Sequence, residues 1–155
     1  MRILGLGILG SFLLAGSALA QAPSEEPPSV RPVGSMSELM VNIIYPTSDA
    51  IFYISTRTPK NDVEWNALKS QAQTLGESAN VLMMPGRARD QNRWMKDAKL
   101  LQDAGVAAFR AAKAKDVEAL AALNDQLYTS CVTCHADYRP NYRRPAAAPP
   151  PPTEK

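Results

Sequence analysis

Residues 61–82 read NDVEWNALKSQAQTLGESANVL, and the spacing of their apolar residues points to the fold class. Apolar residues recur at alternating steps of three and four, the spacing of one helix face: Trp65, Leu68, Ala72, Leu75, Ala79 and Leu82. So narrow an apolar seam is typical of helices that pack side by side. Asn61, with Glu64 three residues on, predicts the N-terminus of this helix. Pro85-Gly86 predicts its end.

Upstream of this stretch, the sequence predicts a first helix that opens at Ser35 or Ser37, both good N-cap residues. One side of it carries Met36, Met40, Ile43, Ala50 and Ile54. Pro46 falls inside the pattern, and a proline there removes a backbone donor and clashes with the preceding turn. We therefore expect a kink or break near Pro46, and the end of the element at Pro59.

Downstream, two more helices are predicted. Asp90 is expected to cap a third helix, whose seam is Trp94, Ala98, Leu101, Gly105, Ala108 and Ala112. Asp116 is expected to cap a fourth, with one side formed by Leu120, Leu123, Leu127, Cys131 and Cys134. Sustained period-two alternation is absent from the sequence. Four amphipathic helices with short connections predict an all-α fold, an antiparallel four-helix bundle over residues 35–142.

The two ends of the chain differ from this central part. Residues 1–20 combine a basic start at Arg2 with an apolar run and the small residues Ala18-Leu19-Ala20, the pattern of a cleaved secretory signal peptide. The run is shorter than the roughly 20 residues that a membrane span needs. We expect export to the periplasm and no membrane span in the mature chain. Residues 21–34 and 143–155 are rich in proline and are expected to be disordered.

The charge balance excludes one broad class of function. The full chain has 17 Lys and Arg against 15 Asp and Glu, a net charge of +2. Removal of residues 1–20 takes away Arg2 and leaves a net charge of about +1. A nucleic-acid-binding protein would show a concentrated basic face, so we expect no nucleic-acid partner.

The motif that carries chemistry is Cys131-Val132-Thr133-Cys134-His135, a C-x-x-C-H sequence typical of c-type haem attachment. Cysteines at positions i and i+3 share one helix face, so both sulfurs can add to the vinyl groups on one porphyrin edge. His135, the only histidine, then reaches the iron as the proximal ligand. The sequence therefore predicts one haem c, held by two thioethers near the end of the last helix.

Three other interpretations of the motif are weaker. A thioredoxin-like C-x-x-C would be expected beside a βαβ pattern, which this sequence lacks. A zinc site would lack a fourth ligand, since the chain has no other Cys or His. A disulfide between Cys131 and Cys134 would be unusually tight within a helix.

The chain resembles the class II cytochromes c, the group that includes cytochrome c′. The resemblance rests on the export signal, the four helices and a C-terminal CVTCH that is followed by Ala136-Asp137-Tyr138-Arg139. The resemblance covers residues 35–142. It implies that Cys131, Cys134 and His135 bind haem, that Arg139 lies beside the proximal ligand, and that the protein can form a homodimer. For Arg139, an ordinary helix C-terminal cation is an equally good interpretation.

The sixth position of the iron divides this family into two kinds. In an antiparallel bundle the start of the first helix lies beside the end of the fourth. That end is expected to collect Trp94 and all the methionines after the signal peptide: Met36, Met40, Met83, Met84 and Met95. The inward stripe favours Met40 as sixth ligand, as in low-spin members of the family. Met36 and an open position, as in cytochrome c′, remain alternatives.

The expected function is therefore single-electron transfer between redox partner proteins whose identity the sequence does not give. We expect no enzyme activity, because the chain has no second histidine for acid–base work. The carboxylates of Asp97, Asp103 and Glu118 are interpreted as parts of solvated helix faces. Capture of nitric oxide or carbon monoxide by a five-coordinate haem is the alternative function.

Overall fold

A computed structural model describes residues 30–139, and every regular element in that range is helical. The elements are α1 (Met36–Leu39), a π-helical turn (Met40–Ile44), α2 (Tyr45–Phe52), α3 (Asp62–Met83), α4 (Arg93–Ala114), α5 (Val117–Ala122) and α6 (Asn124–Tyr138). Several predicted segments lie outside the described residues: the signal peptide at 1–20, most of the tail at 21–34, residues 140–142 of the bundle and the tail at 143–155.

Four helices result, because α1, the π-helical turn and α2 run on as one helix and α5 and α6 form another. Hydrogen bonds at three heights show that α3 and α4 are antiparallel: Lys115 Nζ to Asp62 Oδ1 (2.6 Å), Gln102 Nε2 to Asn80 Oδ1 (2.6 Å) and Trp94 Nε1 to Leu82 O (2.7 Å). Asn124 Nδ2 donates to Phe52 O at 3.3 Å, which places the start of α6 beside the end of α2. The arrangement is compatible with the expected four-helix bundle.

The buried core follows the predicted seams of α3 and α4 closely. Every predicted seam residue of these two helices is buried except Trp65, which is half-buried. Leu120 and Leu127 add the fourth helix to the same core, while Leu123 is half-buried. Burial of this apolar surface is the main term that stabilises such a fold.

The first helix is distorted next to Pro46, as predicted, but it does not break: a π-helical turn immediately precedes the proline. Tyr45 N–H donates to the carbonyl of Met40, five residues earlier, and Pro46 follows in the first turn of α2. A wider turn gives the proline ring room without ending the helix. It also rotates the inward face, so Ile44 is buried and Ile43 is 38% exposed. The prediction that Ile43 lies on the inward stripe is therefore wrong.

The helix ends confirm most of the predicted caps. Ser35 forms a full capping box with Glu38, and Asn61 and Asp116 each accept a backbone N–H in the first turn of the helix that follows. Asp90 is not the N-cap of α4, because that helix begins two residues later than expected, after Asn92. Its carboxylate nonetheless accepts N–H from Asn92 at 2.8 Å and from Trp94 at 3.2 Å.

The fourth helix is interrupted at Leu123, which the sequence pattern did not predict. Leu123 has φ −81° and ψ −8°, and its N–H bonds to carbonyls two and three residues back. Thus α5 and α6 meet at a tightened turn. Separately, none of the helices within residues 30–139 has the length and apolarity required to cross a bilayer.

Replacing Gly105 with alanine is expected to destabilise the fold, because the backbones of α3 and α4 lie very close together at this glycine. A Cβ on Gly105 would stand 2.4 Å from Gly76 Cα, so the two backbones would have to separate. Overpacking of this kind costs about 1–3 kcal/mol, measurable by chemical denaturation. Gly76→Ala is the matched control: its Cβ meets nothing closer than 3.4 Å, so its stability should equal or exceed that of the wild type. Equal stability of Gly105→Ala and the wild type would contradict this account.

Candidate functional site

The C-x-x-C-H motif lies in the last turns of α6, where Cys131, Cys134 and His135 are all half-buried. The helical spacing brings the two thiols to one face of α6, as the sequence predicted. No disulfide joins them. The structure thus presents two thiols and one imidazole together.

That face of α6 forms one wall of a cavity of about 610 Å³. The first helix, the segment before α4 and the start of α4 supply the rest of the lining, which is mostly apolar. The lining residues are Met36, Ser37, Met40, Val41, Ile44, Tyr45, Ser48, Phe52, Arg89, Trp94, Cys131, Cys134, His135, Tyr138 and Arg139. All five sequence-predicted site residues are among them. The volume lies within the range of about 300–1,000 Å³ typical of ligand pockets.

Contacts with α4 and with the segment before it hold the end of α6 in place. The ring of Tyr138 packs edge-on against Trp94, with centroids 4.9 Å apart, and its hydroxyl donates to Asp90. One residue earlier, Asp137 pairs with Arg93 at 3.1 Å. These contacts fix the orientation of the helix that carries the motif.

The electrostatic environment keeps both cysteines in the thiol form. Burial raises the pKa of Cys131. For Cys134, burial together with the carboxylates of Asp97 and Asp137 raises the pKa to about 11. Thiol–disulfide exchange and zinc binding both use the thiolate, and cysteines selected for them have lowered pKa values. Burial and the nearby carboxylates therefore disfavour the thiolate form that a reactive thiol pair needs.

The histidine of the motif is surrounded differently. Burial lowers the pKa of His135, and the positive charge of Arg139 lowers it further. The neutral imidazole is favoured as a result, and it is the form that binds metal ions. Arg139 lines the same cavity as His135.

The methionines divide into two groups. Met36 and Met40 both line the 610 Å³ cavity, and Met40 also lines a smaller inner cavity of about 50 Å³ together with His135. Met83, Met84 and Met95 line neither cavity, although the elements that carry them end nearby. Met83, Met84 and Met95 thus lie on the elements that reach this end of the bundle, as expected, but Leu82 and Trp94 line the cavities in their place.

Asp97 contradicts its predicted place on a solvated helix face. Its side chain lies next to the seam of α4 and is only 5% exposed, whereas Asp103 and Glu118 are exposed as predicted. The burial arises because α6 packs over this part of α4, which a single-helix pattern cannot reveal. Burial raises the pKa of Asp97, and the negative charge of Asp137 adds to the shift.

Arg89 lines the cavity, a position that the sequence pattern did not predict. It lies between α3 and α4, in a segment without helical periodicity, so no spacing related it to the motif. Only its charge, within the run from Arg87 to Asp90, could have drawn attention to it.

Among residues 30–139, His, Cys, Asp and Glu side chains form no group of three or more suited to hold a metal ion by themselves. No protein-family model, curated protein or solved structure matches the chain.

Proposed function

We propose that the chain is an exported, periplasmic c-type cytochrome that holds one haem covalently and carries single electrons between partner proteins. One observation carries this proposal. Both cysteines of the C-x-x-C-H motif, the only histidine of the chain and two first-helix methionines line the same largely apolar cavity of about 610 Å³.

The residues around the cavity fit a haem in three respects. Apolar side chains from the first helix and α4 suit the body of a porphyrin, which is flat and hydrophobic. Cys131 and Cys134 lie at the spacing that two thioethers on one porphyrin edge require. Arg89 and Arg139 line the same cavity, and guanidinium groups pair well with carboxylates such as those of a haem.

A bound haem iron would supply a ferric/ferrous couple, which is the chemistry that the chain itself lacks. In this proposal His135 would hold the iron through its neutral imidazole, and Met40 would hold it through its thioether from the first helix. The apolar lining would keep water away, and ligands that do not leave would keep structural change small during electron transfer. A methionine ligand also raises the reduction potential.

Met40 is preferred to Met36 on structural grounds as well as by spacing. Met40 begins the π-helical turn and borders both the large cavity and the inner cavity that His135 lines. Met36 borders only the large cavity and lies in the first turn of α1. Local π-helical turns are often found at functional positions.

The experiment that tests the ligand set compares Met40→Leu with Met36→Leu in the ferric holo-protein. We expect the wild type to be low-spin, with the weak near-infrared charge-transfer band of sulfur–iron ligation. Met40→Leu should become high-spin and bind carbon monoxide readily after reduction, because a leucine cannot coordinate iron. Met36→Leu is the matched control and should leave the spectrum nearly unchanged.

Two results would contradict the assignment. A wild-type ferric spectrum that is already high-spin would show that the iron has no sixth protein ligand. It would favour the alternative function, binding of nitric oxide or carbon monoxide by a five-coordinate haem. A Met40→Leu protein that stays low-spin would assign the sixth position to another residue.

A further inference from the structure

Asp97 is a buried carboxyl group that the proposed electron transfer does not use. It is 5% exposed, and its Oδ2 has no hydrogen-bond partner among residues 30–139. A buried polar atom without a partner costs stability, typically about 1–3 kcal/mol. Such a group calls for a functional explanation more often than an exposed one does.

The position of Asp97 is as informative as its burial. It lines the inner cavity of about 50 Å³, together with Cys134 and His135 of the motif. It also lines a polar cleft of about 550 Å³, together with Lys96, Thr133 and other residues of α4 and α6. Asp97 thus lies between the small inner cavity, which borders the motif, and a cleft lined by polar side chains.

Charged and titratable groups approach Asp97 from two sides. On α4 itself are Arg93 and Lys96; before α4 lies Asp90; and α6 contributes Cys134, His135 and Asp137. The residues that α3 and the first helix add to the inner cavity are uncharged: Leu82, Met40 and Ile44. The charges that act on Asp97 come from Asp137, Arg93 and Asp90, none of which is a proposed iron ligand.

We propose that Asp97 is a redox-linked proton site, which binds one proton when the haem site gains one electron and releases it when the electron leaves. The inference rests on the proposed function. On reduction, a one-electron donor protein would lose the electron, a haem iron held at the site would gain it, and an O–H bond would form at the Asp97 carboxyl with a proton from a buffer acid in bulk solvent, which is left as its conjugate base. Oxidation by an acceptor protein reverses each change, so the net charge of the site stays constant.

The physical reason is electrostatic. A buried carboxylate is already disfavoured, and burial together with Asp137 raises its pKa in the resting protein. An added electron nearby makes the site more negative and disfavours the ionised form further. A proton on Asp97 would cancel that charge, and its Oδ2 has no hydrogen-bond partner among residues 30–139.

The test is a spectroelectrochemical titration of the holo-protein over pH. In the wild type the reduction potential should fall by about 59 mV per pH unit between the Asp97 pKa values of the oxidised and the reduced protein, as one proton per electron requires. Asp97→Asn should flatten this dependence. Asp103→Asn is the matched control, because Asp103 is an exposed carboxylate on the same helix, paired with Lys99. It should behave like the wild type.

Infrared difference spectroscopy gives a second readout that does not depend on the Asn variant. A carboxylic acid C=O band should appear on reduction of both the wild type and Asp103→Asn. A wild-type potential independent of pH, a slope that persists in Asp97→Asn, or the absence of this band would overturn the inference while leaving the haem assignment intact. A wild-type protein that carries no haem would instead overturn the proposed function.

Discussion

Replacing both Cys131 and Cys134 with alanine is expected to abolish covalent haem, and either single replacement should lower the holo-protein yield sharply. In the proposed attachment each sulfur forms one of the two thioethers, so a single variant would retain at most one bond to the porphyrin. The measurement is the haem stain of the denatured protein, compared with the total amount of chain, after expression with a haem-attachment system.

Val132→Ala is the matched control for these variants. Val132 lies between the cysteines and is half-buried, but it offers no group that bonds haem. Its yield of holo-protein should stay near that of the wild type. Normal covalent haem in the double cysteine variant would contradict the attachment.

The haem-free chain is expected to be far less stable than the holo-protein. The 610 Å³ cavity is partly open and mostly lined by apolar side chains. Without haem it must collapse or fill with water, and hydration of that apolar surface is unfavourable.

The small residues on the α3 and α4 seams strengthen this expectation. Ala72, Ala79, Ala98, Gly105 and Ala108 let those helices approach closely but bury little apolar surface each. A covalent haem stabilises only the native state and cannot dissociate. Circular dichroism melts of the two forms measure the difference, and equal melting temperatures would contradict the account.

The sequence predicted those parts of the fold that depend on one helix at a time. Trp94 and Leu101 belong to the apolar repeat of α4, and Leu75 belongs to that of α3. Their burial followed from the helical period of each sequence alone. Ser35 and Asn61 cap helices by accepting a hydrogen bond from the backbone N–H three residues later, and the local sequence determines this contact as well.

The parts that the sequence did not predict depend on neighbouring elements. Pro46 indicated a distortion, but either a break or a π-helical turn would accommodate it, and the choice moved Ile43 out to the surface. Asp97 is buried by α6, and Arg89 reaches the cavity from a loop. The spacing of apolar residues in their own segments predicts neither the burial of Asp97 nor the position of Arg89.

The mass of one tryptic peptide tests the central claim most directly. Trypsin cuts after Lys115, and the peptide that begins at Asp116 contains both cysteines and His135. From protein exported by a cell that attaches haem, we predict that this peptide is heavier by one haem and keeps it under denaturing, reducing conditions. The same peptide at its unmodified mass, with its thiols free or paired with each other, would contradict the assignment of this protein as a c-type cytochrome.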